Sequence, residues 1–239
     1  MLEFSSVPKL GQLKKGHQMR LIIIGAGGHG RVVVDAALAA GMDVFAFVDS
    51  DPSVKEIRGI PIYDSLEVAI ADNDYETPHF IVAIGDNEVR AKEYSHALAA
   101  GLQPASVVHP TAVVSDTAYI APGSFIAAQA VVNPDASVGE NAIVNTAAII
   151  EHDCVIGAHA FISPAAVLCG RSRVGAHSFV SANATLIPNV KVGEHVLIAA
   201  GAVVTKNFPD GQRLIGIPAR NIPLQKDEVS TGLIPEAEE

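Results

Sequence analysis

Cysteine is scarce in this chain, and the two present, Cys154 and Cys169, stand in apolar surroundings with no CxxC or zinc-type spacing. That excludes a disulfide framework and suits a reducing compartment. Positive charge is scarce too. Sixteen Lys and Arg against 26 Asp and Glu leave a net charge of -10, so the cationic face that nucleic acid or an anionic membrane demands is missing. No apolar run reaches the roughly 18 residues of a membrane span, and no signal-peptide core opens the chain. The cytoplasm is the expected location, without a membrane partner. What the chain has in quantity is aliphatic surface: 49% of its 239 residues are hydrophobic, enough to bury a sizeable core. Residues 1-18 form an aperiodic tail, with Met19 directly before the first convincing strand as a candidate start, and the polar, acidic stretch 225-239 has the composition of a solvated tail.

A repeat decides the fold. From Val107 the chain divides into sixes without a slip: VVHPTA VVSDTA YIAPGS FIAAQA VVNPDA SVGENA IVNTAA IIEHDC VIGAHA FISPAA VLCGRS RVGAHS FVSANA TLIPNV KVGEHV LIAAGA. The second position is Val, Ile or Leu in every hexad, and the sixth is almost always small. A period of six fits neither a helix nor a long strand. It fits short strands joined by tight corners, three hexads closing one triangular coil of 18 residues, with successive coils about 4.8 Å apart. The second-position side chains then stack inside a prism, each worth about 1.5 to 3 kcal/mol when buried. First-position residues such as Tyr119, Phe125 and Val131 point outward, an apolar patch that implies association, and a cyclic homotrimer is the expected assembly.

Before the prism the pattern changes. Residues 19-41 read as a buried strand, a glycine turn and a helix ended by Gly41; 44-52 and 80-101 supply further strands and a second helix. Alternating strands and helices predict a small parallel sheet. Gly25, Gly27 and Gly30 satisfy G-x-G-x-x-G, and Asp49 follows at the distance of a ribose partner. Backbone amides at such a helix start favour phosphate. Under ninety residues leave room for one mononucleotide-binding half, which argues against an NAD-dependent oxidoreductase. The expected organisation is a tail at 1-18, an α/β domain with a Rossmann-like half at 19-105, the prism at 106-207, and a C-terminal segment with acidic tail at 208-239.

The pattern [LIV]-G-x-x-[STAV]-x, with IGAHAF, VGAHSF and VGEHVL as clean copies, resembles the hexapeptide-repeat acyltransferases. Together GAGGHG, FVDSDP, AIGDNEVR, NTAAIIEHDCVIG and GIPAR resemble the bacterial sugar acyltransferases of the sialic acid O-acetyltransferase NeuD type, which include N-acetyltransferases of nucleotide-linked 4-amino-4,6-dideoxy sugars. The resemblance covers Met19 to about Pro223. It implies a left-handed parallel β-helix, a homotrimer, acetyl-CoA held between neighbouring prisms, and a nucleotide sugar held by the α/β domain for surface polysaccharide or glycan assembly, with UDP, GDP and dTDP all open. Carried over residue by residue, Gly27, Gly28, His29, Asp49 and Ser50 contact the nucleotide sugar. The resemblance further implies that His152 is the general base, supported by Asp153, and that Ala182 and Ala200 offer backbone contacts to acetyl-CoA. Phe161 departs from the pattern, because many members carry a coenzyme-contacting histidine there; either the contact to coenzyme becomes apolar at Phe161 or nearby His159 substitutes.

The residues give the chemistry independently. Attack of an amine or hydroxyl on a thioester needs a base near neutral pH, and His152 stands between Glu151 and Asp153 in an otherwise neutral strand. A carboxylate beside an imidazole favours its protonated form, and the sequence leaves open which of the two acids touches the ring. Gly170, one coil above His152, leaves room for a thioester, and its N–H is a candidate oxyanion donor. Lys206 and Arg220 are candidate partners for coenzyme phosphates, and Asn145 is a candidate substrate contact. Three further readings stand beside this one. O-acetylation of a sialic-acid-like sugar uses the same base. A γ-carbonic-anhydrase-like zinc enzyme would need His159, His177 and His195 to converge, yet their 18-residue spacing predicts a straight, solvated ladder that suits zinc poorly, so no metal is expected. A catalytically silent scaffold would bind no acetyl-CoA.

Overall fold

In the computed structural model, residues 20-51, 53-72 and 78-222 are described; both expected tails lie outside them, apart from the first residues following the prism. The α/β domain opens with β1 (Arg20–Ile24), whose RLIII sequence is buried after its first residue because parallel partners and helices cover both faces. A tight turn leads into α1 (Gly28–Ala39), then β2 (Asp43–Val48), the hairpin β3 (Glu56–Ile57) and β4 (Ile60–Tyr63), α2 (Leu66–Ala71), β5 (His79–Val82), α3 (Asn87–Ala99) and β6 (Gln103–Pro104). The sheet order is β3-β4-β2-β1-β5-β6. Gly30, Val33, Val34 and Ala37 fall on one face of α1 by helical spacing and are buried. Asp86 caps α3, its carboxylate accepting from Glu88 N–H at 2.9 Å and Val89 N–H at 2.8 Å.

The remainder is a left-handed parallel β-helix of hexapeptide repeats. Two-residue strands stack in three flat ladders, each pairing with the strand 18 residues on: Phe125↔Ile143 on the first face, Val131↔Ile149 on the second, Ser137↔Val155 on the third. The second-position side chains, among them Ile126, Val144, Ile150, Leu168 and Ile198, form one continuous core. Each corner from Gly123 to Gly201 carries one residue in the left-handed region, and along the middle of the prism none of these is glycine: Gln129, Asp135, Asn141, Ala147, Asp153 and onward every six residues to His195. Such residues are individually unfavourable. Inter-coil hydrogen bonds hold them, as where Arg171 N–H donates to His152 O at 2.9 Å. Above the last coil, Arg213–Ile215 extends the first face and pairs antiparallel with Arg220–Asn221. No helix among the described residues is long and apolar enough to cross a membrane.

The α/β domain sits on the first face, and this corrects one expectation. Phe125, assigned to an open apolar patch, is 1% exposed because α1 and β1 cover it in a shared cluster with Val33, Phe47 and Ile143. The histidine ladder is corrected in part. His159, His177 and His195 do stack, with ring centroids 4.9 and 4.8 Å apart, but α3 shields the His159 and His177 end of the ladder, while the His195 side chain stays 55% exposed. Glu88 Oε1 lies 2.9 Å from His177 Nδ1 and 3.2 Å from His195 Nδ1. Arg90, wholly buried, completes the junction, donating to Asn141 O at 3.0 Å, His159 O at 2.6 Å, Ile84 O at 3.0 Å and Asn87 Oδ1 at 2.7 Å.

Candidate active site

The edge between the second and third faces carries Glu151-His152-Asp153. Strand Ile149–Ile150 enters on the second face and Val155–Ile156 leaves on the third. Backbone bonds pin the corner: Glu151 N–H donates to Leu168 O at 2.9 Å, and Asp153 N–H to Pro134 O at 3.1 Å. Asp153 is the left-handed residue of its corner, and its carboxylate meets the preceding ring, Oδ2 lying 2.8 Å from His152 Nδ1. Among the described residues Glu151 makes no hydrogen bond to the ring, so the choice between the two acids falls to Asp153. The hydrogen bond from His152, with the charges of His152 and Arg171 adding, holds the Asp153 carboxyl below its ordinary value. An ionised carboxylate only accepts, so Nδ1 donates to it, and in the neutral ring Nε2 is the nitrogen with the lone pair.

That lone pair faces the next coil. A Cβ on Gly170 would sit 2.6 Å from His152 Nε2, so the ring lies across bare backbone that any other residue would obstruct. Lys206 stands on the same edge, three coils above His152, its ammonium 5.3 Å from the Phe208 ring. The other expected coenzyme contacts lie elsewhere. Ala182 and Ala200 occupy the edge between the first and second faces, as does Asn145, whose Oδ1 accepts from Thr146 N–H at 2.7 Å and caps its own corner. Arg220 donates to Ala219 O at 3.2 Å beyond the last coil. Within one chain these residues do not meet His152.

Phe161 is 8% exposed, stacked on Phe179 at 4.7 Å and covered by the α/β domain, so within one chain its ring faces the domain junction. His159 faces the same junction, its Nδ1 2.9 Å from Asn141 Nδ2 and its ring 5.8 Å from that of Tyr94.

The second concavity belongs to the α/β domain. A pocket of about 910 Å³ opens over the C-terminal ends of β1, β2 and β5, lined by Gly27, Gly28, His29, Asp49, Ser50 and Gly85 among others. Two kinds of glycine make the turn. Gly25 and Gly30 are structural: a Cβ on Gly30 would come within 2.2 Å of Gly25 O. Gly27 and Gly28 have nothing within 4 Å of an added Cβ, so their missing side chains leave ligand space. Asp49 holds the turn, Oδ2 accepting from Ala26 N–H at 2.7 Å. His29 stands between pocket and prism, its ring edge-on to Phe125 at 5.4 Å. Burial, with the Arg90 charge adding, pushes its imidazole down to about 4, and its Nε2 is buried without a partner, a neutral group able to bond a ligand. Sequence reasoning missed Arg90; its position within AIGDNEVR was the available signal.

Comparison with known proteins matches both halves. The PglD N-terminal domain model matches residues 20-97, and the bacterial transferase hexapeptide model, six repeats, matches residues 171-206. The chain is similar over its length to a histidine-to-asparagine mutant of perosamine N-acetyltransferase from Caulobacter crescentus, solved in complex with CoA and GDP-perosamine. The two share 35% identity over 85% of this chain and 96% of that one, with a TM-score of 0.81. The acetyltransferase domain of PglB from Neisseria gonorrhoeae, in complex with acetyl coenzyme A, gives 35% identity over 86% and 100% of the two chains and a TM-score of 0.80. WeeI from Acinetobacter baumannii shares the fold at 23% identity, 85% and 100% coverage and a TM-score of 0.72.

Proposed function

Since the chain belongs to the hexapeptide-repeat acetyltransferases that carry a PglD N-terminal domain, we propose that it transfers acetyl from acetyl-CoA to the amino group of a nucleotide-linked 4-amino-4,6-dideoxy sugar. The observation that carries the reading is the pair His152 Nδ1–Asp153 Oδ2 at 2.8 Å, with Nε2 free above Gly170. The sugar amine attacks the thioester carbonyl, forming a C–N bond, and Nε2 takes the ammonium proton as the tetrahedral intermediate forms. Collapse breaks the C–S bond, and the proton passes to the leaving thiolate. Such a base contributes about 10² to 10⁴ in rate. Acetyl-CoA would lie along this edge, its thioester beside His152 Nε2 and its phosphates farther along toward Lys206.

The site is completed by a second copy. His152 occupies the edge opposite the first face, where the α/β domain sits, so the nucleotide pocket of one chain faces away from its own base. The second face supports a homotrimer: its outward residues Val113, Val131, Ile149, Val167 and Val203 make an apolar stripe interrupted by Thr185, with Val113 64% exposed. Closing a ring on that face brings the edge of Asn145, Ala182 and Ala200 from one copy against the edge of His152 and Gly170 from the next. Light scattering should report a trimer, and a stable monomer at micromolar concentration would contradict it. The substrate test is a panel of UDP-, GDP- and dTDP-linked amino sugars with acetyl-CoA, followed by free thiol release. Turnover confined to hydroxyl acceptors would favour O-acetylation instead.

A further inference from the structure

Cations are few on this chain, and three of its sixteen converge beside the His152–Asp153 pair. Arg171, Arg173 and Lys191, with Asn189, line a notch of about 340 Å³ next to Asp153. The coil repeat dictates the placement. Arg171 lies one coil above Asp153, while Arg173 and Lys191 pair in register on neighbouring strands of the third face, about 4.8 Å apart at the backbone. Like charges in register repel. Among the described residues neither Arg173 nor Lys191 forms an ion pair, and the acid in the notch is engaged elsewhere: Asp153 Oδ2 is 2.8 Å from His152 Nδ1 and 3.7 Å from Arg171 Nε. In a chain with 26 acidic side chains, two stacked bases without an acid are arranged for an incoming anion.

We propose that this notch is the subsite for the diphosphate of the nucleotide sugar, gripping it while the amine meets His152 Nε2. The inference rests on the nucleotide-sugar reading above and adds residues that it did not contain. Distance selects the anion. In a 4-amino sugar one pyranose ring separates the amine from the anomeric oxygen that bears the diphosphate, a span comparable with the one or two coils from His152 to Arg171, Arg173 and Lys191. The pantetheine arm of acetyl-CoA is longer and carries its phosphates past this level, toward Lys206. Guanidinium groups suit the task, since their planar forks bond phosphate oxygens in pairs. One copy's α/β pocket would then hold the nucleoside, and the amides of its glycine turn together with the next copy's notch would hold the diphosphate between them.

The test is the double variant Arg173→Gln/Lys191→Gln of the full chain. Both side chains are exposed, and losing their repulsion should leave the melting temperature unchanged or higher. With a nucleotide sugar that the wild type acetylates, KM for that substrate should rise about tenfold or more, the usual scale of lost charge-assisted bonds, while KM for acetyl-CoA stays nearly constant. A rise in KM for acetyl-CoA instead would assign the notch to the coenzyme and overturn the proposal, as would no change in either constant. If the wild type acetylates no nucleotide sugar, the reading beneath fails and takes this one with it, whereas the other two outcomes strike the notch alone.

Discussion

Gly170 lies directly over the His152 ring, so close that a Cβ there would stand 2.6 Å from Nε2. Gly170→Ala should therefore displace the basic nitrogen while leaving the prism folded, because the contact is with an exposed ring and not with the aliphatic core. Turnover should fall by about 10² or more, on the scale of a lost base, and thermal stability should stay near wild type. Steady-state kinetics alongside a melting curve checks both halves; unchanged turnover would remove Nε2 from the chemistry.

The glycine turn should separate into two behaviours. Gly28→Leu points into open pocket space, so it should weaken nucleotide-sugar binding, spare acetyl-CoA binding and leave the fold intact. Gly30→Ala meets Gly25 O at 2.2 Å and should destabilise the α/β domain instead, by a few kcal/mol. Calorimetric titration and thermal unfolding of the two variants distinguish these effects. Tight NAD binding by the wild type, with no nucleotide sugar bound, would restore the dinucleotide reading.

Two imidazoles at the domain junction are kept neutral by burial, His29 and His159, each pushed down to about 4 from an unfolded value of 6.5. The folded chain thus binds fewer protons than the unfolded chain between those values. Their contribution to stability is whole above about pH 6.5 and is lost as pH falls toward 4. Melting temperatures measured from pH 7.5 down to 4.5 should decline across that window, and His159→Asn, with no imidazole to charge, should decline less. Parallel profiles for the two proteins would show that His159 does not set the acid limit.

The prism was legible because its period maps each residue onto one place: Ile150 and Leu168 had to be inside and stacked, and they are, in register. His152 was legible as a charged cluster in a neutral strand. Which acid served it was not, since Glu151 and Asp153 flank it equally in the sequence and only the left-handed turn at Asp153 decides. What covers the outward residues was not legible. Phe125, Phe161 and His159 each occupy outward positions, and a periodic pattern says which side chains point out without saying what covers them. The cover is the α/β domain, α1 over Phe125 and α3 with its buried Arg90 over Phe161 and His159; the acceptors of Arg90 include two carbonyls of the prism, Asn141 O and His159 O, both distant in sequence.

The central claim is that His152 is the base, and the most direct measurement is turnover of His152→Asn at saturating acetyl-CoA and nucleotide sugar. Asparagine keeps a polar group of similar reach at an exposed corner but accepts no proton near neutral pH. The expected result is a folded protein that binds acetyl-CoA normally and turns over about 10² or more slower, with Asp153→Asn intermediate and His159→Asn close to wild type. Near wild-type turnover in His152→Asn, with activity abolished in His159→Asn, would contradict the account and move the base to the histidine ladder.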